Sequence, residues 1–195
     1  MYFTAFDFCQ TNAIPATAQL CVACLTAVLR QTGEWDRAMA LCREVLASPN
    51  SLAHARAVAS GMLGSLYALR GQPRHARALL LESAALAQRI ELAAMELMAS
   101  WGLALLDDLS GERTAAAEHC RAMLSRWEQI EDRHYAIAPL RWAVTLFAAQ
   151  GADADARACA NALAQIASAT GQAEALSALA HALGEIALLD GEPQQ

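Results

Sequence analysis

The chain has 195 residues, of which 56% are hydrophobic and 17% charged, and its formal net charge is −6. Its basic residues are all Arg and lie scattered along the sequence without a cluster, which excludes nucleic-acid binding through a basic patch. Ala, Leu, Arg and Glu are abundant and β-branched residues are few, so the composition predicts an all-α fold with a sizeable core.

Helix and turn signals follow one another along the chain. Residues 1–14 are irregular and aromatic-rich, and they predict either a cap on the first helix or the cut end of a longer repeat. Pro15 then stands in the first turn of that helix, where proline is tolerated. Glycines and the Ser48-Pro49-Asn50 stretch separate the helices that follow. The predicted helices are 15–31, 34–47, 51–70, 72–88, 91–109, 112–128, 132–150, 152–170 and 172–189.

Glycine recurs at a nearly constant interval. Gly33, Gly71, Gly111, Gly151 and Gly191 are separated by 38, 40, 40 and 40 residues, and a fixed period of this kind is typical of repeat proteins. Glycine suits a tight turn between helices because it reaches positive φ without strain at Cβ. The interval therefore predicts a series of helix pairs, each with a glycine turn.

Two further positions keep the same register. Alanine stands five residues after each of the first four glycines, and an apolar residue stands eight residues before each of the five. Small residues next to a turn predict that the two paired helices approach closely. The alanines are Ala38, Ala76, Ala116 and Ala156, and the apolar residues are Leu25, Leu63, Leu103, Ala143 and Leu183.

The stretch from Leu63 to Ala76 reads Leu-Gly-x-x-Tyr-x-x-x-Gly-x-x-x-x-Ala, which resembles the motif of tetratricopeptide (TPR) repeats. Leu183-Gly184 repeats its first two residues. The resemblance covers most of residues 15–191 and implies a right-handed α-solenoid of antiparallel helix pairs. The period of about 40 residues exceeds the usual 34. It is similar to that of the TPR-like arrays in bacterial ATP-dependent LuxR-type (maltose-regulator-type) transcription regulators.

This interpretation predicts one TPR-like domain over residues 15–195. The last helix is apolar around much of its girth, although a terminal repeat normally presents a polar outer face. We therefore expect either that the 195 residues are a fragment or that this helix contacts another subunit, as in a homo-oligomer. The predicted repeats are 15–50, 51–90, 91–131, 132–171 and the half-repeat 172–191.

In TPR-like arrays the first helix of each pair lines the concave face, so the resemblance implies a groove for a protein or peptide partner. Trp101 offers an aromatic surface, and Arg141 can hold a carboxylate with a bidentate fork. His181 and Glu185 share one helical face because they are four residues apart. The alternative is an ordinary solvated inner surface with one half-buried Trp. The groove residues are Gly61, Ser65, Trp101, Leu105, Asp108, Arg141, Thr145, His181 and Glu185, with Ala23, Ala27 and Arg30 in the first pair.

The sequence gives little indication of metal binding, nucleotide binding, catalysis or a membrane span. Cys21 and Cys24 lie three apart on one helix without a second such pair, so reduced core cysteines of a cytoplasmic protein are favoured over a metal site. The sequence contains no Gly-x-x-x-x-Gly-Lys motif and no visible Ser-His-Asp spacing. Residues 8–29 are uncharged, yet their first half is too polar to span a bilayer. We therefore expect no enzyme, no cofactor, no metal and no membrane span.

The resulting functional interpretation is a TPR-like interaction and regulatory module, the sensor or scaffold part of a larger bacterial transcription regulator. The ATPase and DNA-binding domains of such regulators are not among these residues. The alternative is a stand-alone TPR protein that binds a peptide or small effector in its concave groove. The nature of the partner stays open at this point.

Overall fold

The computed structural model describes Phe8, residues 11–12 and residues 15–191, and these residues form helices and turns with no strand among them. The predicted all-α class is therefore confirmed. The segment 1–14 lies almost entirely outside the described residues, so its prediction as a cap stays open. The α-helices are α1 Pro15–Gln31, α2 Trp35–Ala47, α3 Ala53–Leu69, α4 Pro73–Arg89, α5 Ala93–Leu109, α6 Arg113–Leu124, α7 His134–Ala149, α8 Asp153–Thr170 and α9 Ala173–Leu189.

The end of α6 is where prediction and structure differ most. The helix ends at Leu124 instead of Glu128, and a short 3-10 helix, Trp127–Gln129, follows it. The Ser125 hydroxyl donates to the carbonyl oxygen of Ala122 at 2.9 Å. Serine side chains that bond in this way to the carbonyl groups of the preceding turn weaken a helix slightly, which is consistent with the early end. The predicted bounds of the other helices agree to within two residues.

The chain divides between Gly111 and Glu112 into two compact units. Unit 1 contains α1 to α5, and unit 2 contains α6 to α9. Within each unit, a helix packs against the next helix in the chain. The first helices of successive pairs also pack on each other: α1 on α3, α3 on α5, and α7 on α9. The core of each unit therefore lies between helices that are close in sequence. A single domain over residues 15–195 and its repeat bounds stay predictions.

The glycine turns have the backbone conformation that the spacing predicts. The five regularly spaced glycines, which we call the ladder glycines, are Gly33, Gly71, Gly111, Gly151 and Gly191. Their φ values are 84°, 69°, 83°, 66° and 72° in chain order. The structure adds two left-handed positions between the pairs, at Gly171 and at Glu91, with φ values of 63° and 55°. Glu91 gives no sequence signal because this conformation is uncommon for residues with a side chain.

The small residues in register with these turns pack closely. The four alanines that follow the glycines are fully buried, each with 0% exposure. A Cβ atom on Gly64 would lie 2.8 Å from Leu80 Cγ and 3.1 Å from the backbone oxygen of Ala76. Both distances are too short for an ordinary contact, so α3 and α4 meet at a spacing that only glycine permits at this position.

Candidate functional site

Trp101, Leu105 and Asp108 lie along one line of α5. Each is half-buried, whereas residues 102–104 and 106–107 between them are buried. Residues spaced by four and three positions share one face of a helix. Three of the predicted groove residues therefore form a partly exposed stripe on unit 1, and their role in binding stays a prediction.

Gly61 and Ser65 on α3 take part in close helix packing. A Cβ atom on Gly61 would lie 2.8 Å from Ser83 Oγ on α4, and one on Gly102 of α5 would lie 3.0 Å from Ser65 Oγ. The Ser65 hydroxyl donates to the carbonyl oxygen of Gly61 at 2.9 Å. Their small size lets α3 pack between α4 and α5, and a contact with a ligand stays a prediction for both.

Arg30 and Trp101 connect α1 with α5 although α3 packs against both of these helices. The guanidinium carbon of Arg30 lies 4.8 Å from the centroid of the Trp101 ring. A cation at this distance from an indole face is attracted by the quadrupole of the ring. The backbone oxygen of Arg30 also accepts a hydrogen bond from Trp35 Nε1 at 3.1 Å. The contact shows that these parts of α1 and α5 face the same side of unit 1.

Both members of this pair lack a hydrogen-bond acceptor within the described part of the chain. Arg30 Nε and Trp101 Nε1 are buried and have no hydrogen-bond partner there. Burial lowers the pKa of Arg30, but an Arg side chain stays protonated at neutral pH. A buried donor without an acceptor costs about 1–3 kcal/mol. The pair therefore combines two unsatisfied N–H groups with a positive charge, and an acceptor must displace neighbouring side chains to reach these two groups.

Another Arg of unit 1 also lies over an aromatic ring, but it has a hydrogen-bond acceptor. Arg43 lies 5.7 Å from the centroid of the Tyr67 ring, and one of its terminal nitrogens donates to the Tyr67 hydroxyl at 3.0 Å. Arg43 is exposed, so water can solvate the rest of its guanidinium. Arg30 is half-buried and its ring partner offers no oxygen, which makes the Arg30–Trp101 pair the less satisfied of the two.

In unit 2 the structure brings together Thr145, His181 and Glu185. Thr145 Oγ1 lies 3.1 Å from His181 Nε2, and Glu185 Oε1 lies 3.6 Å from the same nitrogen. A catalytic triad needs the hydroxyl and the carboxylate on opposite ring nitrogens. Because both contacts converge on Nε2, this cluster lacks that arrangement.

Arg141 lies one helical turn before Thr145 on α7 and is exposed. His134 Nδ1 lies 3.3 Å from Glu174 Oε2, so a second polar contact joins the starts of α7 and α9. These two polar contacts of unit 2 thus lie along the line where α7 and α9 meet. A single groove that combines Trp101 with Arg141 stays a prediction, as does the partner role of Arg141.

Arg30 is the site residue whose importance becomes visible only in the tertiary structure. The concave-face register includes it, but nothing in the sequence indicates that it reaches Trp101, which is 71 residues away. A partial signal exists, because Arg30 and Asp108 both stand three residues before a ladder glycine. The shared spacing places Arg30 and Asp108 at equivalent positions of α1 and α5, but it does not show which of the two side chains contacts Trp101.

The described residues contain no cluster of three or more His, Cys, Asp or Glu side chains suited to a metal ion. Cys21 is half-buried, Cys42, Cys120 and Cys159 are buried, and all four are reduced cysteines. Burial raises the pKa of Cys42 and of Cys159 to about 12. These thiols therefore stay protonated and unreactive near neutral pH.

None of the described helices combines the length and the hydropathy that a bilayer crossing needs. Comparison of the chain with family models, with curated proteins and with solved structures found no match. The TPR-like assignment therefore depends on the motif residues and their register alone.

Proposed function

We propose that this chain is a TPR-like interaction module and that unit 1 binds an acidic group of a protein, peptide or small effector. The binding site is the Arg30–Trp101 pair together with the stripe of α5 that contains Leu105 and Asp108. The stacking of helix pairs into a right-handed solenoid belongs to the same proposal. It is supported by the repeated glycine turns and by the buried alanines that follow them.

One observation carries the proposal: Arg30 and Trp101 are in contact, and each has a buried N–H donor without a hydrogen-bond acceptor among the described residues. A carboxylate supplies oxygen acceptors and a negative charge, and it forms the strongest hydrogen bonds that a guanidinium makes with a side chain. The contact with the indole ring limits the movement of the Arg30 side chain, which lowers the ordering cost of binding a carboxylate.

The wider role that we propose is that of a sensor or scaffold region in a larger bacterial LuxR-type regulator. An acidic effector or an acidic segment of a partner would then be the regulatory signal. A stand-alone TPR protein that binds a peptide or small effector would use the same groove. In both cases the chain acts by binding in the cytoplasm and not by catalysis.

Nitrogen-15 NMR of the four Trp indole N–H groups tests the acidic-group assignment. The Trp101 resonance is assigned with Trp101→Phe, and the protein is titrated with glutarate and with a blocked tetraglutamate peptide. Blocked tetraglutamine is the neutral probe. We expect the acidic probes to shift the Trp101 resonance because an acceptor arrives at its N–H group, while the resonance of Trp35, which already has an acceptor, moves less.

The matched variants are Arg30→Gln and Arg43→Gln. Both remove an Arg that lies over an aromatic ring, but Arg43 is exposed and bonded to the Tyr67 hydroxyl. We expect Arg30→Gln to weaken the response to the acidic probes about tenfold or more, since one bidentate contact carries that much affinity. Arg43→Gln should leave it unchanged. Equal responses to the acidic and the neutral peptide would rule out the assignment.

A further inference from the structure

The last helix of unit 2 exposes an apolar stripe of alternating large and small residues. Leu176, Ala180, Leu183 and Ala187 follow one another at spacings of four, three and four, which keeps them on one side of a helix. Leu176 and Leu183 are 52% and 55% exposed. Ala180 is exposed and Ala187 is half-buried. The buried residues of α9, Ala175, Ala178 and Ala182, lie on a different side of the helix, which packs against α7 and α8.

The charged side chains of α9 lie away from this stripe. His181 contacts Thr145 on α7, and Glu174 contacts His134 on the same helix. Glu185 lies near His181, on the same side. The stripe itself contains only Leu and Ala, so nothing in it opposes burial against an apolar surface.

In the earlier first helices of each pair, the position equivalent to Leu183 is covered. The apolar residues eight before the first four glycines are 5%, 3%, 5% and 0% exposed in chain order, whereas Leu183 is 55% exposed. A Cβ atom on Gly184 would meet nothing within 4 Å, in contrast to one on Gly64. The Leu-Gly pair in α9 therefore has the residues for close helix packing and the space for an incoming helix.

The stripe is complementary to itself. Its spacings read four, three, four in both directions, so a second copy of α9 can pack antiparallel about a two-fold axis between Ala180 and Leu183. Leu176 then lies opposite the Ala187 position of the second copy, and Ala180 lies opposite the Leu183 position. Every large side chain faces a small one, which is the condition for interdigitated packing.

We propose that α9 is a homodimer interface in which two copies pack their Leu-Ala stripes antiparallel about a two-fold axis. Closing the stripe in this way covers Leu176 and Leu183 in both chains at once. The interface lies on unit 2 and uses none of the Arg30–Trp101 site, so the two proposals stand or fall separately.

Sedimentation equilibrium of the full chain over a wide range of concentration tests the interface. The wild-type protein should approach twice the monomer mass as concentration rises. Leu183→Ala and Ala180→Leu should each weaken association about tenfold or more, because one leaves a gap and the other places two Leu side chains opposite each other. The double variant Ala180→Leu/Leu183→Ala exchanges large and small within the symmetric register and should restore association.

Two further variants keep the test decisive. Leu109→Ala removes an equally exposed leucine, 57% exposed, from α5 of unit 1 and should leave the dimer unchanged. Ala180→Glu places a charge in the stripe at an exposed position and should give a folded monomer, with circular dichroism as the check on folding. A wild-type chain that stays monomeric at the highest concentration would overturn the proposal. So would a double variant no more associated than its single parents.

Discussion

The α3–α4 pair of unit 1 and helix α9 of unit 2 contain the same Leu-Gly pair at the same distance from a glycine turn, yet the pair has opposite surroundings. Leu63 is 3% exposed and Leu183 is 55% exposed. A Cβ atom on Gly64 would collide with Leu80, and one on Gly184 would meet no neighbour within 4 Å. The Leu-Gly motif thus gives a helix a face on which another helix can pack closely. Whether that face is buried depends on the presence of the second helix and not on the motif.

The largest expected difference concerns the two leucines. Leu63→Ala should lower the free energy of unfolding by about 2–5 kcal/mol, since it removes a buried side chain and leaves a cavity. Leu183→Ala should lower it by about 0.5 kcal/mol or less at dilute protein, where association contributes little. Urea unfolding followed by circular dichroism measures both values. Equal losses would mean that the α9 face is covered within the monomer.

The two glycines should respond with opposite signs. Gly64→Ala forces Leu80 and the backbone near Ala76 apart and should lower the free energy of unfolding by about 1–3 kcal/mol. Gly184→Ala meets open space and should raise it by about 0.5–1 kcal/mol, because alanine is the better helix former. The same urea titrations measure these changes. A stabilising Gly64→Ala would show that α3 and α4 are further apart than described.

A third comparison tests whether the two units are equally well packed around their thiols. Burial raises the pKa of Cys42 in unit 1 and of Cys159 in unit 2 from the ordinary 9.0 to about 12. The native state thus keeps protons that the unfolded chain releases above pH 9, and stability is lost as the pH rises from 9 toward 12. The expected loss is about 1.4 kcal/mol per pH unit for each thiol.

The measurement compares unfolding free energies at pH 8 and pH 10 for the wild type, Cys42→Ala and Cys159→Ala. Each variant should show a shallower fall than the wild type, and the two reductions should be similar. A reduction for only one variant would mean that the other thiol is already accessible to water in the native state. Its unit would then be the less tightly packed around that position.

Much of the fold follows from local residue choices. The glycine turns were predictable because positive φ is a property of the residue itself, and the stripe of Trp101, Leu105 and Asp108 follows from helical periodicity. Glu91 and the early end of α6 were not predictable, since one is a left-handed residue without glycine and the other occurs where the sequence has neither glycine nor proline. The Arg30–Trp101 contact lay beyond prediction because it depends on how α1 and α5 pack around α3.

By itself, the order of residues determined the helices, their glycine turns and the small side chains at which paired helices meet, because each of these depends on conformational preferences within a few residues. Only the tertiary structure decided which faces are covered, which Arg lacks an acceptor and which leucines remain at the surface. Those properties depend on groups far apart in sequence, and their free energies arise only when packing removes water from between them.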